Sequence, residues 1–139
     1  MNPELLKEAR RWLKQAESDC SFLPVAKESG KYDVTCFLSQ QAAEKALKAY
    51  LFAQGEEAVF THAIFKLCEI AAQYDQSFSP LRDKIKLLDY FYVEARYPNA
   101  IEDVIPADFF NEKDAQEAIS LANETLDFVR EKLSSVLGE

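Results

Sequence analysis

Glycine is scarce in this chain, with three in 139 residues, and histidine is scarcer still, with one. Strands joined by tight hairpins draw on glycine for backbone turns of positive φ, so this supply argues against a sheet. One histidine leaves no basis for a Ser-His-Asp or Cys-His arrangement and no clustered metal set, and there is no ExxH. The cysteines, Cys20, Cys36 and Cys68, are odd in number and form no CxxC; they predict buried, reduced thiols in a cytoplasmic setting. No apolar run approaches the ~20 residues of a membrane span. The N-terminus is charged and amphipathic, without the apolar stretch of a signal peptide. Neither GxxxxGK[ST] nor GxGxxG is present, so neither phosphate-cradling glycine loop is available. Net charge is −8, against non-specific binding of DNA or RNA backbones, although a local basic pocket or a basic partner is compatible with it.

What the chain has is helical periodicity in a length suited to one domain, residues 1–139. The densest signal is Tyr32 to Phe52, YDVTCFLSQQAAEKALKAYLF. At 100° per residue its apolar positions, Phe37, Leu38, Ala42, Ala43, Ala46, Leu47, Ala49, Tyr50 and Leu51 among them, cover most of the circle, which predicts a buried helix. Against that background Gln41, Glu44 and Lys48 share one narrow stripe flanked by Gln40 and Lys45. Polar groups on a buried helix are costly unless paired. They are expected to serve a ligand, a partner or a fixed helix register.

Other helices frame this one. Asn2-Pro3-Glu4 is a start signal for a first helix, and Pro24 is expected to lie near its stop. Gly55 is expected to close the second helix. Thr61 is placed to cap a third, with Ile64, Leu67, Cys68 and Ala71 inward, and His62 falls at its start. Ser79-Pro80 reads as a cap followed by proline at the first helical position, opening a fourth helix with Leu81, Ile85, Leu88, Tyr92 and Ala95 on one stripe. An irregular stretch follows from Arg96 to Phe110. Asn111 then caps a last helix, with Ala115, Ala118, Ile119, Ala122, Leu126, Val129, Leu133 and Val136 inward, closing at Gly138. The expected architecture is all-α: an antiparallel up-and-down bundle of three long and two shorter helices.

The second informative segment is Leu88 to Pro98, LDYFYVEARYP. Tyr97 precedes a proline and is biased away from the helical region, so Arg96 lies at or just past a helix end. There it serves either as a cap on the last carbonyls or as a fork for a phosphate. His62 has the same two readings: a residue packed over its loop, or one facing a ligand.

Taken in order, YDVTCFLSQQAAEKALKAYL, THAIFKLCEIA, LDYFYVEARYP and a terminal helix with Ala118 and Ala122 resemble the HEPN domain family, over about Leu5 to Leu133. The resemblance implies a four-helix bundle with an extra short helix, usually homodimeric and similar to the substrate-binding domain of kanamycin-type nucleotidyltransferases. It also implies a toxin–antitoxin-like pairing with a minimal nucleotidyltransferase. Many members are metal-independent RNases with an R-x4–6-H motif. Counted from Arg96, the histidine positions hold Ile101, Glu102 and Asp103. A carboxylate there repels the charge that develops on a scissile phosphate. The expectation is therefore a non-catalytic, cytoplasmic, homodimeric subunit that binds a nucleotide or a partner's substrate without cofactor or metal. Lys48 and Arg96 would hold phosphate, Gln41 and Glu44 would orient the ligand, and Lys45, His62 and Tyr97 are further candidates. The alternatives are an RNase toxin using Arg96 and a purely structural dimeric bundle in which the polar stripe fixes register.

Overall fold

The structure, a computed structural model, describes residues 2–138. Its elements are α1 (Pro3–Glu28), α2 (Tyr32–Ala53), α3 (Ile64–Ala72), α4 (Phe78–Ile85), a 3-10 segment (Lys86–Phe91), the single turn α5 (Pro106–Phe109) and α6 (Glu112–Leu137). Among the described residues there is no strand, as the scarcity of glycine predicts.

Packing explains the all-round apolar pattern of α2. It lies against both α1 and α6, and α3 and the 3-10 segment cover its remaining side. Ala42, Ala43, Ala46 and Ala49 are fully buried, and their small side chains let neighbouring helices come close. Leu47 and Leu51 fill the space beside them and are equally inaccessible. Even the hydroxyls along this seam are satisfied. Thr35 Oγ1 donates to Lys31 O at 2.9 Å, Ser39 Oγ to Thr35 O at 2.8 Å and, on α6, Thr125 Oγ1 to Leu121 O at 2.8 Å. The three thiols are buried in this core. Loss of water around them raises Cys20 to about 11 and Cys36 and Cys68 to about 12, far from the reactive thiolate range.

The end signals hold at both termini. Asn2 accepts from Glu4 N at 2.9 Å. Asn111 and Asp114 exchange side-chain and backbone bonds as a capping box, and Gly138 adopts φ 74° where α6 ends. Pro24 lies near the end of α1, as expected, with the helix running one turn further to Glu28: the proline faces solvent while Leu23 and Ala26 are buried, and that packing offsets its missing hydrogen bond. Two internal expectations are corrected. Ser79 is not the cap of α4. Asp75 accepts from both the backbone N and the Oγ of Ser77, the helix opens at Phe78, and Pro80 falls within the first turn, where no intrahelical N–H is needed. The stripe from Leu81 to Ala95 is not one helix. It tightens into the 3-10 segment after Ile85 and then into turns, so Leu88, Phe91 and Ala95 are buried by a winding path.

Candidate functional site

The polar stripe of α2 is real, and it is closed. Glu44 and Lys48 are buried and paired at 3.0 Å, with side chains only 6% and 5% exposed. The ammonium of Lys48 also lies 5.5 Å from the centre of the Trp12 ring on α1. Gln40 Nε2 donates to Glu44 Oε1 at 3.3 Å and to the backbone oxygen of His62 at 3.0 Å, clamping the loop before α3 onto α2. Gln41 Nε2 donates to Gln40 Oε1 at 2.7 Å and lies 3.5 Å from Glu44 Oε1. Among the described residues, no buried side-chain nitrogen or oxygen lacks a partner. Two charges taken from water into a core are tolerated only with this degree of pairing. Lys45 points elsewhere, into an ion pair with Asp19 that ties α2 to α1. It also lines a cleft of about 310 Å³ with Glu8, Arg11, Trp12 and Gln15.

His62 is the link between this interior and the surface. It precedes α3 rather than opening it. The N–H groups of Ile64 and Phe65 at the helix start are taken by the carboxylate of Asp89, from the 3-10 segment, while Thr61 Oγ1 accepts only from Ala63 N. Thr61 is thus not the cap of α3. The imidazole Nδ1 sits 3.0 Å from Glu44 Oε2, yet the side chain is 53% exposed. Its ring stacks on Tyr92, with centroids 5.1 Å apart and planes 18° from parallel.

Tyr92 carries the second cation. The Arg96 guanidinium carbon lies 4.4 Å from the Tyr92 ring centre, 4.5 Å from Phe37 and 4.9 Å from Tyr97. Its Nε donates to the oxygen of Tyr92, the residue that follows the 3-10 segment, from turns five residues beyond that segment rather than from a helix end. That bond occupies only one edge of the fork. Among the described residues Arg96 has no carboxylate partner, in a chain that carries 24 acidic residues. Phe37 and Glu44 are seven residues apart on α2 and share a face. The helix therefore places Phe37 under Arg96 and Glu44 against His62, about 10 Å apart along its axis. The stripe and Arg96 do not meet directly; His62 and Tyr92 stand between them. Sequence reasoning missed Phe37, Tyr92 and Asp89 as parts of this arrangement, because only the chain path after Ile85 brings Tyr92, Asp89 and Arg96 against α2 and α3.

Tyr97, which packs on Arg96, is one of several exposed apolar side chains in the segment from the 3-10 stretch to α5. Tyr97, Ile105, Phe109, Val93 and Tyr90 are all more than 40% exposed. Tyr90 and Phe109 share contacts with the buried Phe110, at 6.3 and 5.1 Å between centroids, so they belong to one patch. Among the described residues no helix is long and apolar enough to cross a membrane.

These features define an all-helical bundle with a buried charge network and a surface arginine held by aromatic rings. The sequence profile of the HEPN domain matches residues 9–132, and the chain belongs to the HEPN domain family. It is 27% identical to "Putative toxin MJ1304" of Methanocaldococcus jannaschii over 142 aligned residues, covering 96% of this chain and 93% of that protein. Among solved structures it is similar to TT1696 from Thermus thermophilus, at 35% identity and a TM-score of 0.81, covering 90% of this chain and 98% of that one. A further similarity is to ST0689, described as an archaeal HEPN homologue, at 34% identity and a TM-score of 0.74, covering 90% and 97%.

Proposed function

We propose that this chain is the non-catalytic, phosphate-recognising subunit of a toxin–antitoxin-like pair, acting as a homodimer beside a nucleotidyltransferase partner. The observation that carries the reading is Arg96. An arginine held by three rings, with one edge of its fork bonded and no carboxylate beside it, is pre-ordered for a phosphate oxyanion and loses little entropy on binding one. The exposed apolar side chains of this segment, Tyr90, Val93, Tyr97, Ile105 and Phe109, offer a surface that suits a second copy of the chain. The partner rests on the family's likeness to nucleotidyltransferase substrate-binding domains, and the toxin–antitoxin context is supported by the name of the Methanocaldococcus relative. In this reading Gln41, Glu44 and Lys48 do not touch the ligand; they hold the loop and the ring that frame Arg96.

Calorimetric titration with ATP, GTP and CTP tests the proposal. Arg96→Ala is expected to weaken nucleotide binding by roughly ten- to a hundredfold, the loss of a charge-assisted bond, while mixed RNA incubated with the protein stays intact. Cleavage of that RNA, abolished in Arg96→Ala, would instead establish the RNase reading. That second reading is favoured by one contact: the chain's one histidine lies on the same tyrosine ring as Arg96. Light scattering reads the assembly, and a monomer mass at micromolar concentration would remove the dimer from the account.

A further inference from the structure

The buried ion pair of α2 raises a physical question that Arg96 does not answer. Replacing such a pair by apolar side chains is often neutral or stabilising, so its retention calls for a use. The geometry supplies one. Glu44 Oε2 is shared between Lys48 and the Nδ1 of His62, at 3.0 Å in each case. A carboxylate at Nδ1 makes that nitrogen the donor and turns Nε2 outward. The imidazole is 53% exposed and rests on Tyr92, the ring that also carries Arg96. The imidazole and the guanidinium are therefore separated by no more than their two contact distances to that ring combined, 5.1 and 4.4 Å.

We propose that His62 is the second pole of the Arg96 anion site, and that the site takes a diphosphate group, with one end on the Arg96 fork and the other on protonated His62. This deepens the phosphate-binding reading above and rests on it. The charges around the imidazole are compatible with such a ligand. From α2, Glu44 and Lys48 neutralise each other behind the ring. From the 3-10 segment, Asp89 is turned onto the N–H groups of Ile64 and Phe65. Beyond it, Tyr92 presents a ring face and Arg96 a second positive charge. Glu94 lies in the same turns as Tyr92 and Arg96, outside ion-pair distance of the guanidinium, and a protonated His62 adds positive charge that offsets it. A neutral imidazole bonded to Glu44 through Nδ1–H offers only a lone pair at Nε2, so binding an anion there requires proton uptake. Glu44 is a positioning residue in this scheme.

Titration calorimetry with inorganic pyrophosphate and inorganic phosphate tests this, at pH 6 and pH 8, in buffers of different ionisation enthalpy. Wild type, His62→Gln and Arg96→Ala are compared, so that the ligands' own ionisation cancels between variants. Wild type is expected to bind pyrophosphate about tenfold more tightly than phosphate at pH 6. Relative to His62→Gln it takes up additional protons on binding. In His62→Gln the preference for pyrophosphate and the additional uptake disappear while weaker binding through Arg96 persists. Because His62 is half exposed, this variant should melt close to wild type, and a melt of each sample verifies it. Binding that Arg96→Ala abolishes but His62→Gln leaves unchanged, with the same proton uptake, would overturn the two-pole site and leave the Arg96 reading intact. Failure of wild type to bind either anion at either pH would overturn both.

Discussion

Two positively charged side chains, Lys48 and Arg96, sit at opposite ends of one chain of contacts, and their surroundings differ. Lys48 is buried, paired with Glu44 and capped by the Trp12 ring. Arg96 is partly exposed and held by three aromatic rings without a carboxylate. Sequence places both among the phosphate-binding candidates. Physically only Arg96 retains the free donors and the solvent access that a ligand needs, whereas Lys48 is already committed. The comparison teaches that a charged residue in a buried stripe is read by its partner, not by its charge.

The largest effect expected is from breaking the buried end. Glu44→Ala leaves Lys48 uncompensated in the core and frees His62 Nδ1, a loss of about 3–5 kcal/mol. Thermal melts should then fall by on the order of 10 °C. A drop of only a degree or two would mean that water already reaches the pair. Next comes the frame between the two ends. Asp89→Ala removes the carboxylate that accepts from the Ile64 and Phe65 N–H groups, and should cost about 1–2 kcal/mol in urea denaturation. An unchanged midpoint would show that α3 is capped in another way. At the exposed end the balance reverses: Arg96→Ala is expected to change stability by less than about 1 kcal/mol, and its effect appears in ligand binding. A large destabilisation there would reassign Arg96 as a structural cap.

The smallest effect provides a reference for an ion pair at the surface. Asp75 is held down at about 2 by the Lys132 ammonium and by the hydroxyl and backbone N–H of Ser77. Its folded-state value lies below the unfolded one, so its contribution is present above about pH 4 and is lost as pH falls toward 2. The melting temperature of Asp75→Asn should converge with that of wild type over this window and lie slightly below it at pH 6. Equal melting temperatures at pH 6 would show that the pair contributes nothing.

Much of the fold was legible because its signals are local. Asn2-Pro3, Asn111 with Asp114, and Gly138 state the helix ends in adjacent residues. The all-round apolar pattern of Tyr32 to Phe52 states the central position of α2. Signals failed where tertiary packing competes with local preference. Thr61 and Ser79 look like caps, but Asp89 takes the Ile64 and Phe65 N–H groups at the start of α3, and α4 opens before Ser79, where the Phe78 and Ser79 N–H groups donate to the backbone oxygens of Asp75 and Gln76. The site was half legible. Sequence spacing put Gln41, Glu44 and Lys48 on one stripe and singled out Arg96 and His62. It could not show that Lys45 turns to Asp19 on α1, or that His62 and Tyr92 stand between the stripe and Arg96. The Tyr92 contacts depend on the 3-10 path after Ile85, which has no signature in the helical period.

The most direct test of the division between a buried holder and an exposed binder is one paired experiment on Lys48→Met and Arg96→Ala: a thermal melt and a pyrophosphate titration of each. Lys48→Met keeps most of the stem volume but removes the ammonium paired with Glu44, leaving that carboxylate with Gln40, Gln41 and the His62 imidazole. The account predicts a clear fall in melting temperature for Lys48→Met, with residual binding wherever the protein remains folded. For Arg96→Ala it predicts a near-normal melt and affinity lowered by roughly ten- to a hundredfold. A Lys48→Met protein that melts like wild type but no longer binds, beside an Arg96→Ala protein that binds normally, would contradict it.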